Sequence, residues 1–422
     1  MKNKFKIGVI GLGYVGLPLS IVFSKKYKVL GYDTNLNRIN ELINLEDRTN
    51  EVQKKTIQKC LNNNLNLTND ISDISDCNIY IVTVPTPVDI NKVPDLSYIE
   101  EATLEISKIL NVGDIVIYES TVYPGCTEEV CVPILEKGSN LIYNKEFYCG
   151  YSPERINPGD KVNTIDKIVK ITSGSNSKIA DIVDKLYSSV ISAGTYKTSS
   201  IKIAEASKAI ENAQRDINIA FINEIAMISK AVGVESREVL KAAKTKWNFL
   251  NFEPGLVGGH CIGVDPYYLA KAAEKVGHKP EIILAGRKIN DQMPNFIYKN
   301  IKNKISKDSK ILMLGLTFKE DVKDIRNSKS AELFYKFFNA GYNIVLNDPV
   351  AEKIDAYNQF KIKLTKPKGK FDCIILSVAH KKYKKMKIEE ILKITTNKCL
   401  VVDIKNVWAN VKFPENIMRW CL

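Results

Sequence analysis

Histidine is scarce in this chain: three in 422 residues, at positions 260, 278 and 380. Nine cysteines are present, but only Cys126 and Cys131 lie close together, and no second close pair accompanies them. A structural zinc site needs four thiolate or imidazole ligands at short spacings, so no metal site is expected. The cysteines are odd in number, scattered, and mostly set in apolar runs such as FDCIILSV. That is reduced, cytosolic usage and excludes a disulfide framework. No apolar run reaches the roughly 18 residues that span a bilayer, so no membrane partner is expected. The N-terminus runs into FKIGVIGLG, an apolar strand ending in a glycine turn, with no small-residue cleavage site after a helical apolar segment. The expected location is therefore cytoplasmic. Basic charge is plentiful, at a net +13, but it is spread along the chain rather than gathered into a block. A solvated basic surface follows, with no nucleic-acid partner and a field that favours an anionic small molecule.

What is present is glycine in informative places. Lys6 to Gly11 reads as a buried parallel strand, and Gly11, Gly13 and Gly16 complete G-x-G-x-x-G, with Tyr14 and Val15 inside the turn, before the apolar helix VGLPLSIVFSKK. The next strand, YKVLGYD, ends at Asp33, 17 residues after Gly16. Strand, tight turn, helix N-terminus and terminal acid together are the parts that hold a dinucleotide pyrophosphate and its ribose hydroxyls. An acid with no basic residue immediately beside it favours NAD over NADP, a preference tempered by Arg38 five residues on. Strands NIYIVTV and DIVIYES end in polar loops that make Thr83, Thr86, Ser120 and Thr121 candidate cofactor contacts, each of which serves equally as a turn or helix cap. EFYCGYSPERINPGD, residues 146 to 160, reads as a further strand running into a loop with Glu154 and Arg155 between prolines.

A long helical stretch, Ser200 to Ala226, joins this half to the next. Ile210, Ile217, Phe221 and Ile225 fall within about 80° on the helical wheel, an apolar stripe that needs a partner surface. On the other side Lys208, Asn212 and Arg215 share a face at i, i+4 and i+7 spacing. Beyond a second helical pattern ending near Ala243 comes FEPGLVGGHCIGVDPYYL, with four glycines and two prolines in 18 residues. Such a stretch suits no regular element and implies close backbone approach to something. Cys261 sits among these glycines, with Asp265 four residues on. A thiol in that setting is the candidate nucleophile. From Lys310 the pattern restarts, with strands KILMLGLTF, NIVLNDP, FDCIILSV and CLVVDIKN around the helix KSAELFYKFFNAGY. This second half lacks the glycine fingerprint, so Lys319 and Arg326, in the loop FKEDVKDIRNSK, become candidate phosphate or sugar ligands. The fold class is α/β: two Rossmann-like doubly wound domains, 1–199 and 291–422, joined by a central helical segment, 200–290, with a hinge over about Leu284 to Pro294.

In order, GLGYVGLP, SPERINPGD, KAIENAQRD, GGHCIGVDPYYL and LGLTFKEDVKDIRNSK resemble the UDP-sugar 6-dehydrogenase family over nearly the whole chain. The resemblance implies an N-terminal NAD domain, a central helix that also forms a homodimer or higher oligomer, and a C-terminal domain for the UDP-sugar. It implies a four-electron oxidation of the sugar C6 alcohol to a carboxylate, using two NAD⁺. Cys261 would capture the C6 aldehyde as a thiohemiacetal that becomes a thioester, with Lys208 and Asn212 stabilising oxyanions. Asp265 would work with Lys208 on proton removal through a water, and Glu154 would be the general base of thioester hydrolysis. Arg155, Ile156, Arg215, Phe252, Gly258, Lys319 and Arg326 join Lys208 and Asn212 as implied substrate contacts. In the UDP-glucose branch the loop glutamate precedes an apolar pair, as in PEFL. Here PERINPG resembles instead the branch acting on UDP-N-acetylhexosamines, UDP-GlcNAc or UDP-GalNAc, which feeds bacterial capsule or O-antigen synthesis.

Three rivals remain at this level. A 6-phosphogluconate-type hydroxyacid dehydrogenase shares the NAD domain and the Lys-x-x-x-Asn helix, but needs neither Cys261 nor a second Rossmann half. An epimerase that keeps its NAD would use Tyr-x-x-x-Lys, which occurs here as often as chance allows. A non-catalytic sugar-nucleotide sensor would not need Cys261, Lys208 and Glu154 together. UDP-glucose or UDP-ManNAc is the alternative substrate.

Overall fold

The computed structural model describes residues 5–89, 92–156, 162–259 and 262–422. The described chain forms two compact units, one comprising residues 1–211 and 267–278, the other 212–266 and 279–422. Among the described residues no helix is long and apolar enough to cross a membrane.

The first unit is built on an eight-stranded sheet in the order β3-β2-β1-β4-β5-β6-β7-β8. Its strands are β1 (Lys6–Ile10), β2 (Lys28–Tyr32), β3 (Leu65–Thr68), β4 (Ile79–Val82), β5 (Ile115–Tyr118), β6 (Tyr148–Tyr151), β7 (Lys170–Gly174) and β8 (Thr195–Lys197). Among the pairings of these described strands only that of β6 with β7 is antiparallel. Continuous apolar runs such as IYIV in β4 and IVIY in β5 are buried throughout, as strands covered on both faces must be. The strand order reverses between β1 and β4, and in open α/β sheets ligands bind at such a reversal, outside the carboxyl ends of the strands.

The second unit carries a five-stranded, fully parallel sheet in the order β10-β9-β11-β12-β13. Its strands are β9 (Lys310–Leu314), β10 (Asn343–Asn347), β11 (Phe371–Leu376), β12 (Thr395–Asp403) and β13 (Met418–Trp420). Here the order reverses between β9 and β11. Four strands are the expected ones, and β13, three residues long, is too short to show a period. The strand expected from residue 146 is confined to β6, because the proline at 153 cannot donate to a ladder.

The two sheets repeat one hydrogen-bond plan at their reversals. Gly11 N–H donates to Tyr32 O at 2.8 Å, and Gly315 N–H donates to Asn347 O at 2.8 Å. Leu12 N–H donates to Asp33 Oδ2 at 2.9 Å, and Leu316 N–H donates to Asp348 Oδ2 at 2.6 Å. Thr83 Oγ1 donates to Gly11 O and Ser377 Oγ donates to Gly315 O, each at 2.7 Å. Gly11 and Gly315 have φ of +90° and +102°, the left-handed region in which a side chain would be strained. In the second unit His380 adds a further partner. Asp321 N–H donates to its Nδ1 at 2.9 Å, leaving Nε2 to donate to Asp348 Oδ2 at 3.0 Å.

One helix, Ile201–Val232, runs through the division between the units. The hinge expected at Leu284 to Pro294 is not there: the stretch lies within the helix Glu281–Lys302, with Pro294 inside it. A proline there costs about 3 kcal/mol. Burial of Met293, Ile297 and Ile301 in the second unit's core offsets it, as do the bonds from Arg287 and Asn290 to Asp216 at 2.6 and 2.8 Å.

Candidate active site

The glycine turn after β1 has room for a ligand where one is needed. A Cβ at Gly16 would lie 1.8 Å from Gly11 O, so helix and turn are in contact and only glycine fits, whereas a Cβ at Gly13 would meet nothing within 4 Å. Tyr14 and Val15 are partly exposed beside that opening, where the helix Gly16–Ser24 begins; Leu17 N–H donates to Gly13 O at 3.3 Å, Leu19 N–H donates to Val15 O at 3.0 Å, and Pro18 has no N–H. Asp33 accepts from Leu12 N–H on one oxygen and from Asn35 N–H on the other, each at 2.9 Å. Each oxygen keeps a lone pair for a ribose hydroxyl. This turn therefore fits a dinucleotide.

The hydroxyls named as cofactor contacts are largely committed to the backbone. Thr83 donates into the glycine turn, Thr86 to Thr121 O at 2.6 Å, and Ser120 to Val84 O at 2.6 Å. They tie the loops after β4 and β5 together. Arg38 is buried, with Nε on Leu12 O at 2.9 Å and one amino group on Asp47 at 2.8 Å. It braces the turn from behind.

Glu154 follows β6 in the first unit. Its Oε1 is shielded from solvent and has no hydrogen-bond partner among the described residues. Burial raises its pKa to about 7, although the Lys208 and Lys170 ammonium groups pull it down. A carboxyl poised there can act as a general base near neutral pH. Lys208 is itself buried on the central helix. The neighbouring Arg155 is held by Glu211 at 2.6 Å, and Ile156 packs against the first unit's core. The INPG turn that continues this loop lies, from Asn157 on, outside the described residues.

In the second unit Asn212, one helical turn after Lys208, is buried and donates from Nδ2 to Asp265 Oδ2 at 2.5 Å. Arg215, expected on the same face, is exposed, so the cover over Lys208 and Asn212 does not extend a further turn. Asp265 opens the helix Asp265–Lys275. Cys261 lies outside the described residues, but the loop leading to it is fixed. Gly255 N–H donates to Asn223 Oδ1 at 2.8 Å, and Asn223 Nδ2 returns to Gly255 O at 3.1 Å. A Cβ at Gly258 would come within 2.5 Å of Asn327 O, and Gly259, with φ +92°, lies against the Phe318 ring. Phe252 is partly exposed at the start of this loop.

A cleft opens at the carboxyl ends of β9 and β11, lined by Leu256, Gly258, Phe318, Lys319, Lys329 and Lys405 among others. Glu320 also lines it and holds Lys405 at 2.6 Å, while Lys329 is paired with Asp291 at 2.8 Å and Glu332 at 2.6 Å, so a diphosphate entering at this strand-order reversal would have to exchange with these carboxylates. Arg326 is engaged by Asp324 of its own loop, at 3.0 Å from Nε and 2.7 Å from an amino group.

Several of these residues carry no local sequence signal. Lys329 and Lys405 come from separate elements. Glu205, fully buried on the central helix, accepts from Gly125 N–H and from Thr127 N–H and Oγ1, holding the turn after β5, and burial raises its pKa to about 7. The one available clue was spacing, since Glu205 lies three residues before Lys208 and is on a neighbouring part of the helix face.

Over residues 5–191, 202–292 and 312–410 the chain matches, in turn, the NAD binding, central and UDP binding domains of the UDP-glucose/GDP-mannose dehydrogenase family. It is 50% identical over 410 residues to the UDP-N-acetyl-D-glucosamine 6-dehydrogenase of Pseudomonas aeruginosa, covering 95% of this chain and 96% of that one. It is 46% identical over 413 residues to the enzyme of the same name from Salmonella typhi, covering 96% and 97%. The fold matches the solved UDP-D-ManNAc dehydrogenase of Pyrococcus horikoshii with a TM-score of 0.86 at 29% identity, over 99% of this chain and 98% of that one. With its dinucleotide turn in the first unit and its lysine-lined cleft in the second, the chain belongs to the UDP-glucose/GDP-mannose dehydrogenase family, and is an NAD-dependent nucleotide-sugar dehydrogenase.

Proposed function

We propose that this enzyme oxidises the C6 hydroxyl of a UDP-N-acetylhexosamine, UDP-GlcNAc or UDP-GalNAc, to the uronate through a thioester on Cys261. The observation that carries the reading is the Glu154 carboxyl, buried and poised near neutrality beside Lys208, on the helix that one turn later supplies Asn212. NAD⁺, held by the glycine turn and Asp33, would supply the hydride acceptor for each of the two oxidations at C6. The chain's own groups do the rest. Asp265 and Lys208 direct proton removal from C6–OH, Cys261 traps the aldehyde, and Lys208 and Asn212 stabilise the oxyanions. Glu154 then draws a proton from the water that cleaves the thioester. The cleft with Lys319, Lys329 and Lys405 receives the UDP group.

The acetamido preference is supported by the PERINPG loop, which resembles that of the N-acetylhexosamine branch, and by the names of the two relatives. Progress curves test the scheme. Two NADH should form per UDP-GlcNAc or UDP-GalNAc consumed, with kcat/KM at least about tenfold above that for UDP-glucose. One NADH per sugar, free aldehyde, or a preference for UDP-glucose would sink it.

The enzyme is further proposed to act as at least a homodimer through its central helix. Ile210 and Phe221 are 53% and 51% exposed, and Ile203, Ile228 and Val232 continue the same line along the helix. Fully burying one such side chain stabilises by about 1.5–3 kcal/mol, so a second copy gains several times that over the line. Phe221→Asp should lower the sedimentation mass toward one chain. An unchanged mass would place the interface elsewhere.

A further inference from the structure

Next to the Glu154 loop lies a charge pair that the proposed chemistry does not use. Lys170, the first residue of β7, is 2% exposed, and Glu119, just after β5, is 1% exposed. Lys170 Nζ lies 2.5 Å from Glu119 Oε2. The Tyr187 hydroxyl donates to Oε1, and the Lys170 ammonium lies 5.6 Å from the centre of the Tyr187 ring. Burying such a pair is costly, and apolar residues of similar volume would often stabilise the fold as well or better. Packing alone does not account for it.

Both members reach Glu154. The Glu154 N–H donates to the Glu119 carbonyl at 3.4 Å, joining the loop to the end of β5. Lys170 and Glu154 line one small cavity together with Arg155, Ile156, Ile165, Ile168 and Val169. Glu154 Oε1 is shielded from solvent and has no hydrogen-bond partner among the described residues. We propose that Lys170 and Glu119 are positioning residues for the Glu154 carboxylate: the pair pins the strand ends that carry its loop and presents it with a fixed ammonium. The inference rests on Glu154 being the base of thioester hydrolysis.

Charged groups face Glu154 from each neighbouring element: Lys208 and Glu211 from the central helix, Lys170 from β7 and Glu119 from the end of β5. Arg155, on its own loop, is held by Glu211. Burial raises the proton affinity of Glu154 most, Lys208 and then Lys170 lower it, and Glu119 and Glu211 raise it by less. Removing the ammonium and removing its carboxylate partner therefore move Glu154 in opposite directions, although both break the same ion pair. A purely structural pair has no such signature.

The test is the pH dependence of single-turnover uronate release by the full-length enzyme with excess NAD⁺ and UDP-GlcNAc. The wild-type acid limb should fall near pH 7. Lys170→Met should raise it by about one pH unit, Glu119→Gln should lower it, and Lys170→Arg should leave it in place. Lys170→Met/Glu119→Gln, which leaves no buried charge unpaired, should fall between wild type and Lys170→Met. If the single variants do not fold, the double variant and Lys170→Arg decide the matter. A double variant with the wild-type limb, or two single variants shifting the same way, overturns the positioning role. Glu154→Gln separates the two readings. If it turns over normally, Glu154 is not the base. If it is inactive while the limb stays put in the Lys170 and Glu119 variants, only the positioning role is lost.

Discussion

Cys261→Ala should yield a folded, NAD-binding protein that makes no uronate. The expectation follows from how its loop is held. Gly255 is bound at both its N–H and its carbonyl by Asn223, Gly258 is pressed against Asn327 O, and Asp265 accepts from Asn212. None of these anchors involves the side chain at 261, so its truncation leaves them in place. The thiol, however, is the proposed site of attack on the C6 aldehyde, and loss of a covalent nucleophile costs about three orders of magnitude or more in turnover. Cys261→Ser retains shape but supplies a far poorer nucleophile. Any ester it forms hydrolyses more slowly than a thioester, so intact-mass measurement should find a UDP-sugar adduct on the serine variant and none on the alanine variant. A cysteine that merely packed would cost about 1–2 kcal/mol of stability on replacement and leave the rate per folded molecule nearly intact. Near wild-type uronate production by Cys261→Ala would end the covalent scheme.

Glu154→Gln should stall the enzyme after both oxidations. The amide is nearly isosteric but cannot take a proton from water, so the thioester persists. Rapid mixing should show a burst of about two NADH per active site, followed by a steady rate about 10²–10⁴-fold below wild type. The same residue governs pH. Its pKa is raised to about 7 by burial, and the working form of a base is the ionised one. Wild-type turnover should be complete above neutrality and fall by about tenfold per unit below it, as the carboxylate takes up a proton. An acid limb near 4, or a glutamine variant with no burst and full turnover, would contradict the role.

Much of this was legible because the signals are local. The two sheets announce themselves as buried apolar runs ending in glycine or acid, and Lys208 and Asn212 show their common face through four-residue spacing. Arg215 obeys the same spacing and is nevertheless exposed, since periodicity assigns a face but not how far its cover extends. The expected hinge failed for a related reason. Pro294 marks a break locally, but the buried side chains around it hold the helix continuous. Lys170 and Glu119 were invisible, being 51 positions apart on strands that pair with β6 and not with each other. Each reads alone as an ordinary surface charge. Only the fold brings them together and takes away the water.

The hydrogen-bond plan shared by the two sheets leaves their two acids with different acceptor capacity. Asp33 and Asp348 occupy equivalent positions, and each carboxylate has about four lone-pair directions to offer. Asp33 uses one per oxygen on Leu12 and Asn35. Asp348 accepts from the N–H groups of Leu316 and Thr317 and from His380 on one oxygen, and from those of Val350 and Ala351 on the other. These donors, the His380 ring first among them, hold its pKa at about 2 despite burial. With its acceptor capacity filled, it has no lone pair left for a ribose diol, whereas Asp33 keeps one on each oxygen. The same plan thus leaves an acceptor open to a hydroxyl at the end of one sheet and closes it at the end of the other.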